Sequence, residues 1–334
     1  MIAPERPGQH RDIAGSEAAP ARTQPRAGII SIEPSQPADF VNAVVAGGAV
    51  VEPVSDRTAG LVWLSEKRAP ELSELLAQYP QIEWVQLPWA GVDGFRGLFA
   101  ELDHDTAPVF TSAKGSYAQP VAEHALALIL GLARELPRKS RDAVWQTERT
   151  GLSLFGNHIV IIGAGGITRE FIRLVAPFAP RITVVRRQNE PLPDADKTVG
   201  VDSLLGVLPD ADIVLVAAAA TTETTHLIGR REIEAMPDHA IIVNVARGEL
   251  LDTDAVVEAI QAGRLWGVGL DVTEPEPLPA DSALWSEARC VITSHSADTP
   301  LMTKHLLAER IRTNVSHLMA GEPLIGVVDT RSGY

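Results

Sequence analysis

One cysteine in 334 residues, Cys290, excludes an internal disulfide and any zinc site built from a cysteine cluster, and leaves a reducing cytoplasm as the simplest compartment. Basic residues are scarce as well: 29 Lys and Arg stand against 43 Asp and Glu, for a net charge of −14. A nucleic-acid backbone or an anionic membrane needs a basic face, so neither is expected as the main partner and a small ligand fits better. Long apolar runs are missing, since the longest, 125–133, falls short of the ~20 residues a membrane helix requires. Positions 1–25 are rich in Pro, Ala, Arg and Glu without an apolar signal core, which predicts a disordered tail and no secretory peptide.

What is present is enough apolar residue, 45%, to core about two domains at this length. Apolar strand patterns at 27–32, 60–64, 82–87 and 109–111 alternate with helical patterns at 38–46 and 69–78, which predicts a first α/β unit with a parallel sheet. Residues 119–134 read as a long helix opened by Pro120, with Ala122, Ala125, Leu126, Ile129, Leu130 and Ala133 on one face. That face suits either a core or a domain or subunit contact. Further strands at 159–162, 182–185, 213–217, 241–245, 268–270 and 290–293 have the rhythm of a doubly wound sheet, and a last helix at 301–319 carries the chain back to the first unit.

The second unit opens on Ile159-Val160-Ile161-Ile162-Gly163-Ala164-Gly165-Gly166-Ile167-Thr168, a strand, a glycine turn and a helix start. Such a turn lets backbone approach a ligand closely and aims free N–H groups at a diphosphate, although Thr168 stands where the third glycine of the fingerprint belongs. Ligands of open α/β sheets gather at strand carboxyl ends, and four polar stretches follow strands. Trp89-Ala90-Gly91-Val92-Asp93-Gly94 is a substrate loop or an ordinary turn. Arg247, after 241–245, suits a bidentate grip on a carboxylate, or is a surface Arg. Asp271 opens a stretch in which prolines at 275, 277 and 279 hold Glu274 and Glu276 in extended backbone. His295 follows the last strand, and a carboxylate beside such a histidine favours the protonated ring and fixes its orientation.

Together these residues resemble the D-isomer-specific 2-hydroxy acid dehydrogenase family, over roughly 82–326. The resemblance lies in Trp89-Ala90-Gly91-Val92-Asp93, Val121-Ala122-Glu123-His124, Gly163-Ala164-Gly165-Gly166-Ile167, Asn244-Val245-Ala246-Arg247-Gly248, Leu270-Asp271-Val272 with Glu276-Pro277-Leu278, and Thr293-Ser294-His295. It implies a Rossmann cofactor domain, 119–299, inserted into a flavodoxin-like substrate domain, 26–118 and 300–334, both doubly wound parallel sheets. It implies that Arg247 binds the substrate's carboxylate and carbonyl oxygen, that His295 donates the proton, and that Glu276, five residues after Asp271, pairs with His295. Gly91 and Val92 would offer N–H groups to the carboxylate, and Asp271 would contact the nicotinamide amide. Gly163, Ala164, Gly165, Gly166, Ile167, Thr168, Ala219, Val245, Ala246, Arg247 and His295 complete the cofactor site. A homodimer is implied too, with the 119–134 helix as a candidate contact. Thr168, Lys114, Ser294 and Ala219 depart from the family pattern, and none removes a reacting group.

The cofactor can be read further. After the strand 182–185, where NAD enzymes place an acidic residue against the ribose hydroxyls, stand Arg186 and Arg187. Two guanidiniums suit a 2′-phosphate, so NADP(H) is expected ahead of NAD(H). The expected reaction is hydride transfer from NADPH to a small 2-oxo acid, glyoxylate or hydroxypyruvate by family likeness, giving the D-2-hydroxy acid. The alternatives are oxidation of another small anion on the same fold, and a cofactor-sensing interaction protein of the corepressor type.

Overall fold

β-branched strands alternating with amphipathic helices build two parallel sheets in two compact units, 1–117 with 299–334, and 118–298. The computed structural model describes residues 10, 11 and 24–331, so the expected tail lies almost wholly outside the described residues. The first unit runs β1 (Ile29–Glu33), α1 (Ala38–Ala46), β2 (Thr58–Trp63), α2 (Ala69–Gln78), β3 (Trp84–Gln86), α3 (Arg96–Glu101) and β4 (Val109–Thr111). Its four strands pair in the order β1-β2-β3-β4. Isolated rungs extend it, parallel from Ile30 to Val51 outside β1 and antiparallel from Thr111 to Val327 outside β4. The segment at Val51, second in the chain, thus lies outside the first strand, which is the flavodoxin-like order 2-1-3-4-5 with its second strand reduced to a single bridge. Trp84, wholly buried in this sheet, finds a partner for its indole N–H in the Thr111 hydroxyl, 2.9 Å away.

The second unit runs α4 (Ala118–Ala133), α5 (Leu136–Lys139), β5 (His158–Ile162), α6 (Gly166–Val175), β6 (Arg181–Arg186), β7 (Lys197–Gly200), α7 (Leu204–Val207), β8 (Ile213–Val216), α8 (Arg230–Ala235), β9 (Ile241–Asn244), α9 (Thr253–Gln261), β10 (Gly267–Leu270) and β11 (Cys290–Ile292). The strand order β11-β10-β9-β8-β5-β6-β7 reverses direction at β5, so the crevice between β5 and β8 is the switch point where such sheets take ligands. Both faces of the sheet are covered by apolar clusters, which is why the central strands are apolar throughout and do not alternate. α4 supplies one of those covers: Ala122, Ala125, Ile129 and Ala133 are buried in the core with Ile159, Ile161 and Val243, so this face serves the core of its own unit. Cys290 is partly buried, and desolvation pushes its thiol up to about 12.

α10 (Pro300–Ala320) returns to the first unit and packs on α1. The approach is close at Gly47, which caps α1, because a Cβ there would lie 2.7 Å from the Val315 side chain. Buried Arg310 on α10 donates to the carbonyls of Ser112 (2.8 Å) and Lys114 (3.0 Å), fixing the chain that leaves β4.

Candidate functional site

In a parallel sheet all strand carboxyl ends share one edge, and the sequence-predicted stations of the second unit follow β5, β6, β8, β9, β10 and β11 on that edge. The glycine turn after β5 sits at the switch point. Gly163 has φ +109, and a Cβ there would lie 2.4 Å from the Ala217 carbonyl oxygen just after β8, so only glycine closes this crossing. A Cβ at Gly165 would meet nothing within 4 Å, which leaves room above the turn. No side chain caps α6 at Gly165, so its first-turn N–H groups are open to an anion from the ligand side. A dinucleotide diphosphate fits this cradle of Gly163 to Thr168. Thr168 does not loosen it: the buried side chain donates its hydroxyl to the Gly163 carbonyl at 3.0 Å, so the departing residue braces the turn from within.

Ala219 lies in the loop after β8, where its carbonyl accepts the Thr224 hydroxyl at 2.8 Å. Arg186 ends β6 with one guanidinium nitrogen 3.3 Å from the Glu190 carbonyl and another 3.9 Å from the Glu190 carboxylate, while Arg187 is exposed. A contact of that length to an exposed carboxylate holds the guanidinium weakly.

After β9, Asn244 ties its own turn. Its side chain accepts from the Ala246 N–H (3.0 Å) and donates to the Arg247 carbonyl (2.8 Å), with Val245 and Ala246 buried between. Arg247 donates to the Ala246 carbonyl at 2.7 Å. At the next residue, Gly248, a Cβ would lie 2.0 Å from the Thr273 carbonyl oxygen, so the Arg247 turn and the proline-rich loop after β10 touch backbone to backbone. That loop delivers two carboxylates to two histidines. Glu276 Oε1 is 2.7 Å from His295 Nδ1, and Glu274 Oε2 is 2.7 Å from His226 Nε2. His295 is half-exposed and has φ +49, a left-handed conformation that costs about 1–2 kcal/mol for a residue other than glycine.

Asp271 lies beneath this turn, 2% exposed. Its Oδ1 accepts from the Thr293 hydroxyl (2.7 Å) and the Ser296 N–H (2.9 Å), its Oδ2 from the Ala297 N–H (3.1 Å), and its carbonyl from the His295 N–H (2.6 Å). Thr293 in turn is 2.8 Å from His124 Nε2 on α4. His124 and Thr293, quoted in the sequence only within motifs, thus join the site through their hydrogen bond, and the charges of His295, Asp271 and Arg247 act on Asp298 beside them.

The Asp298 carboxyl stands above the usual carboxylate range. Burial is the main cause, and Asp271 acts in the same sense, while the charges of His295 and Arg247 oppose it. The unfolded chain therefore ionises this group first, and stability falls as pH rises from the unfolded value of ~3.9 through the higher folded one. Asp298→Asn is expected to raise the melting temperature at pH 7, with the gain gone at about pH 3, below the unfolded pKa. Equal melting temperatures for the two proteins at pH 7 would contradict it.

Gly91 and Val92 belong to the first unit, at the carboxyl end of β3. Val92 is buried, and Trp89 beside it is partly exposed and packs edge-on against Tyr117 at 6.4 Å, with the Tyr117 hydroxyl donating to the Pro88 carbonyl at 2.8 Å. Among the described residues no group of three or more His, Cys, Asp and Glu side chains is placed to hold a metal ion, and no helix is long and apolar enough to cross a membrane.

Residues 126–297 match the family model described as D-isomer specific 2-hydroxyacid dehydrogenase, NAD binding domain. An uncharacterised protein of the proB 3′ region of Corynebacterium melassecola is 32% identical over 303 residues, 89% of this chain and 97% of its own. A glyoxylate reductase of Pyrococcus furiosus is 29% identical over 82% of each chain. Among solved structures, a D-isomer specific 2-hydroxyacid dehydrogenase from Xanthobacter autotrophicus, in complex with NADPH and MES, aligns with a TM-score of 0.77 at 25% identity, over 92% of this chain and 100% of that one.

Proposed function

We propose a reaction for this chain, which belongs to the D-isomer specific 2-hydroxyacid dehydrogenase family and is an NAD(P)-dependent oxidoreductase: reduction of a small 2-oxo acid, glyoxylate or hydroxypyruvate, by NADPH to the D-2-hydroxy acid. The observation that carries it is the His295–Glu276 contact of 2.7 Å on the strand edge that also presents Arg247 and the glycine cradle. In this reading Arg247 grips the substrate's carboxylate and the oxygen of its ketone, the bidentate geometry orienting the 2-oxo carbon. His295 gives its Nε2 proton to the oxygen as negative charge develops there, while Glu276 holds Nδ1–H and with it the ring's orientation.

The residues of the cradle, Gly163 to Thr168, with Ala219, Val245 and Ala246, would bind the diphosphate and the nicotinamide riboside, and Asp271 and His295 would face the carboxamide end. Arg186 and Arg187 would take the 2′-phosphate. When bound, the reduced nicotinamide supplies the hydride for the 2-oxo carbon. The relatives support the choice of substrate and cofactor by their own descriptions, one as a glyoxylate reductase and one as a dehydrogenase bound to NADPH. The protein works in the cytoplasm in this reading, and as a homodimer. The apolar face of α4, the candidate contact, is buried in the core of its own unit.

The test is a panel of 2-oxo acids assayed with NADPH and with NADH. Glyoxylate and hydroxypyruvate with NADPH are expected to give the highest kcat/KM, and the same preparation is expected to sediment at twice the 35.8 kDa chain mass. Absence of turnover with every 2-oxo acid under both cofactors would remove the reading.

A further inference from the structure

The polar atoms around Asp271 fix the direction of its hydrogen bonds, and His124 Nε2 also lies 3.5 Å from Asp271 Oδ1, beyond the shorter path through Thr293. An ionised carboxylate only accepts, so the single proton of the Thr293 hydroxyl points at Asp271 Oδ1, 2.7 Å away. The same oxygen of Thr293 lies 2.8 Å from His124 Nε2, and with its proton already committed it can only accept there. His124 therefore carries a proton on Nε2, and the hydrogen bonds run in one direction: His124 Nε2–H to Thr293 Oγ1, Thr293 O–H to Asp271. Three consecutive backbone N–H groups, of His295, Ser296 and Ala297, close on Asp271 from the other side. These three N–H groups bracket the left-handed φ of His295.

The two ends of this relay differ in rigidity. His124 stands on α4, whose buried face is fixed in the unit's core, and His295 stands on a half-exposed turn that pays for an unfavourable backbone conformation. A strained turn persists only when its surroundings over-determine it, and beyond buried Asp271 the relay ties this turn to a rigid helix as well. We propose that His124 is a positioning residue for the reduction: through Thr293 and Asp271 it holds the backbone of His295 in place, so that His295 Nε2 meets the substrate oxygen while Nδ1 stays on Glu276. The inference rests on the reading of His295 as proton donor. His124 touches neither substrate nor cofactor in this account, and its effect passes wholly through the turn.

Four variants test it: His124→Leu and Thr293→Val, which break the relay without adding bulk, and His124→Gln and Thr293→Ser, which keep a donor and a hydroxyl in the same places. The two breaking variants are expected to lower kcat for 2-oxo acid reduction by about tenfold to a hundredfold, the scale of a reacting group displaced by about 1 Å. KM for the 2-oxo acid should stay within about twofold, since the grip of Arg247 is untouched. The two conservative variants should recover most of the lost kcat. His124→Leu combined with Thr293→Val should be no slower than the slower single variant, because both cut one chain. Unchanged kcat in His124→Leu, additive losses in the double variant, or no recovery by His124→Gln and Thr293→Ser overturns the proposal.

Amide hydrogen exchange of the 295–297 segment separates this from failure of the reaction itself. If the wild-type protein reduces no 2-oxo acid, faster exchange there in the breaking variants and protected exchange in the conservative ones still upholds the relay. Unchanged exchange in all four sinks it independently of turnover.

Discussion

His295→Gln is expected to lower kcat for 2-oxo acid reduction by about 10²- to 10⁴-fold, the usual contribution of a positioned general acid, with little change in KM. Glutamine keeps a polar side chain of similar length but has no proton to give at neutral pH, so the developing alkoxide must take its proton from water. Arg247→Ala should fail differently. It removes the group that grips the substrate before and during reduction, so KM rises as kcat falls, and kcat/KM drops by about 10²- to 10³-fold. Steady-state kinetics on both variants with the best 2-oxo acid checks the pair. A His295→Gln enzyme with wild-type kcat would sink the assignment of proton donor, and an Arg247→Ala enzyme with unaltered KM would free Arg247 from substrate.

The second large effect is on cofactor choice. The double variant Arg186→Ala with Arg187→Ala is expected to reduce kcat/KM for NADPH by about 10- to 100-fold, since hydrogen bonds to a charged phosphate contribute ~1.5–3 kcal/mol. Turnover with NADH should hold or improve, because no carboxylate at 186 or 187 serves the free ribose hydroxyls of the natural protein. The weak hold on Arg186, one contact of 3.3 Å to a carbonyl and one of 3.9 Å to an exposed carboxylate, costs little to release. An unchanged ratio of the two cofactors in the double variant would place the 2′-phosphate elsewhere.

Local signals carried most of the architecture. The helices 38–46 and 69–78 and the strand 109–111 have the bounds their periodicity indicates, because each is an apolar pattern ended by a turn. β7 did not show itself: Lys197–Gly200 is a polar edge strand paired with β6 and has no apolar run to betray it. α8 and α9 are short and were not read either, though Asp252 caps α9 by accepting from the Ala255 N–H. The site divided along the same line. The family likeness, through the spacing from Asp271, picked Glu276 over Glu274, and the geometry gives Glu276 to His295 and Glu274 to His226. The partnership of His124 with Thr293 was beyond reach, since 169 positions separate them and the strand order of the sheet is what brings them together. Thr168 is a departure from the glycine fingerprint by sequence, and only the structure shows its hydroxyl donating to the Gly163 carbonyl of the same turn.

The first unit is written in two pieces, 1–117 and 299–334, with α1 packed on a helix that the ribosome makes only after the second unit. The 181 residues between them, 118–298, take about 9–36 s to synthesise at the usual ~5–20 residues per second. During that interval β1 to β4 and α1 are complete, but the face of α1 that meets Val315 and Leu318 has nothing to cover it. The second unit, contiguous in the chain, is free to fold as it emerges. Birth order therefore reverses reading order, the half that begins first being finished last, and a ribosome stalled short of residue 300 leaves a folded cofactor unit tethered to a sticky, unclosed neighbour.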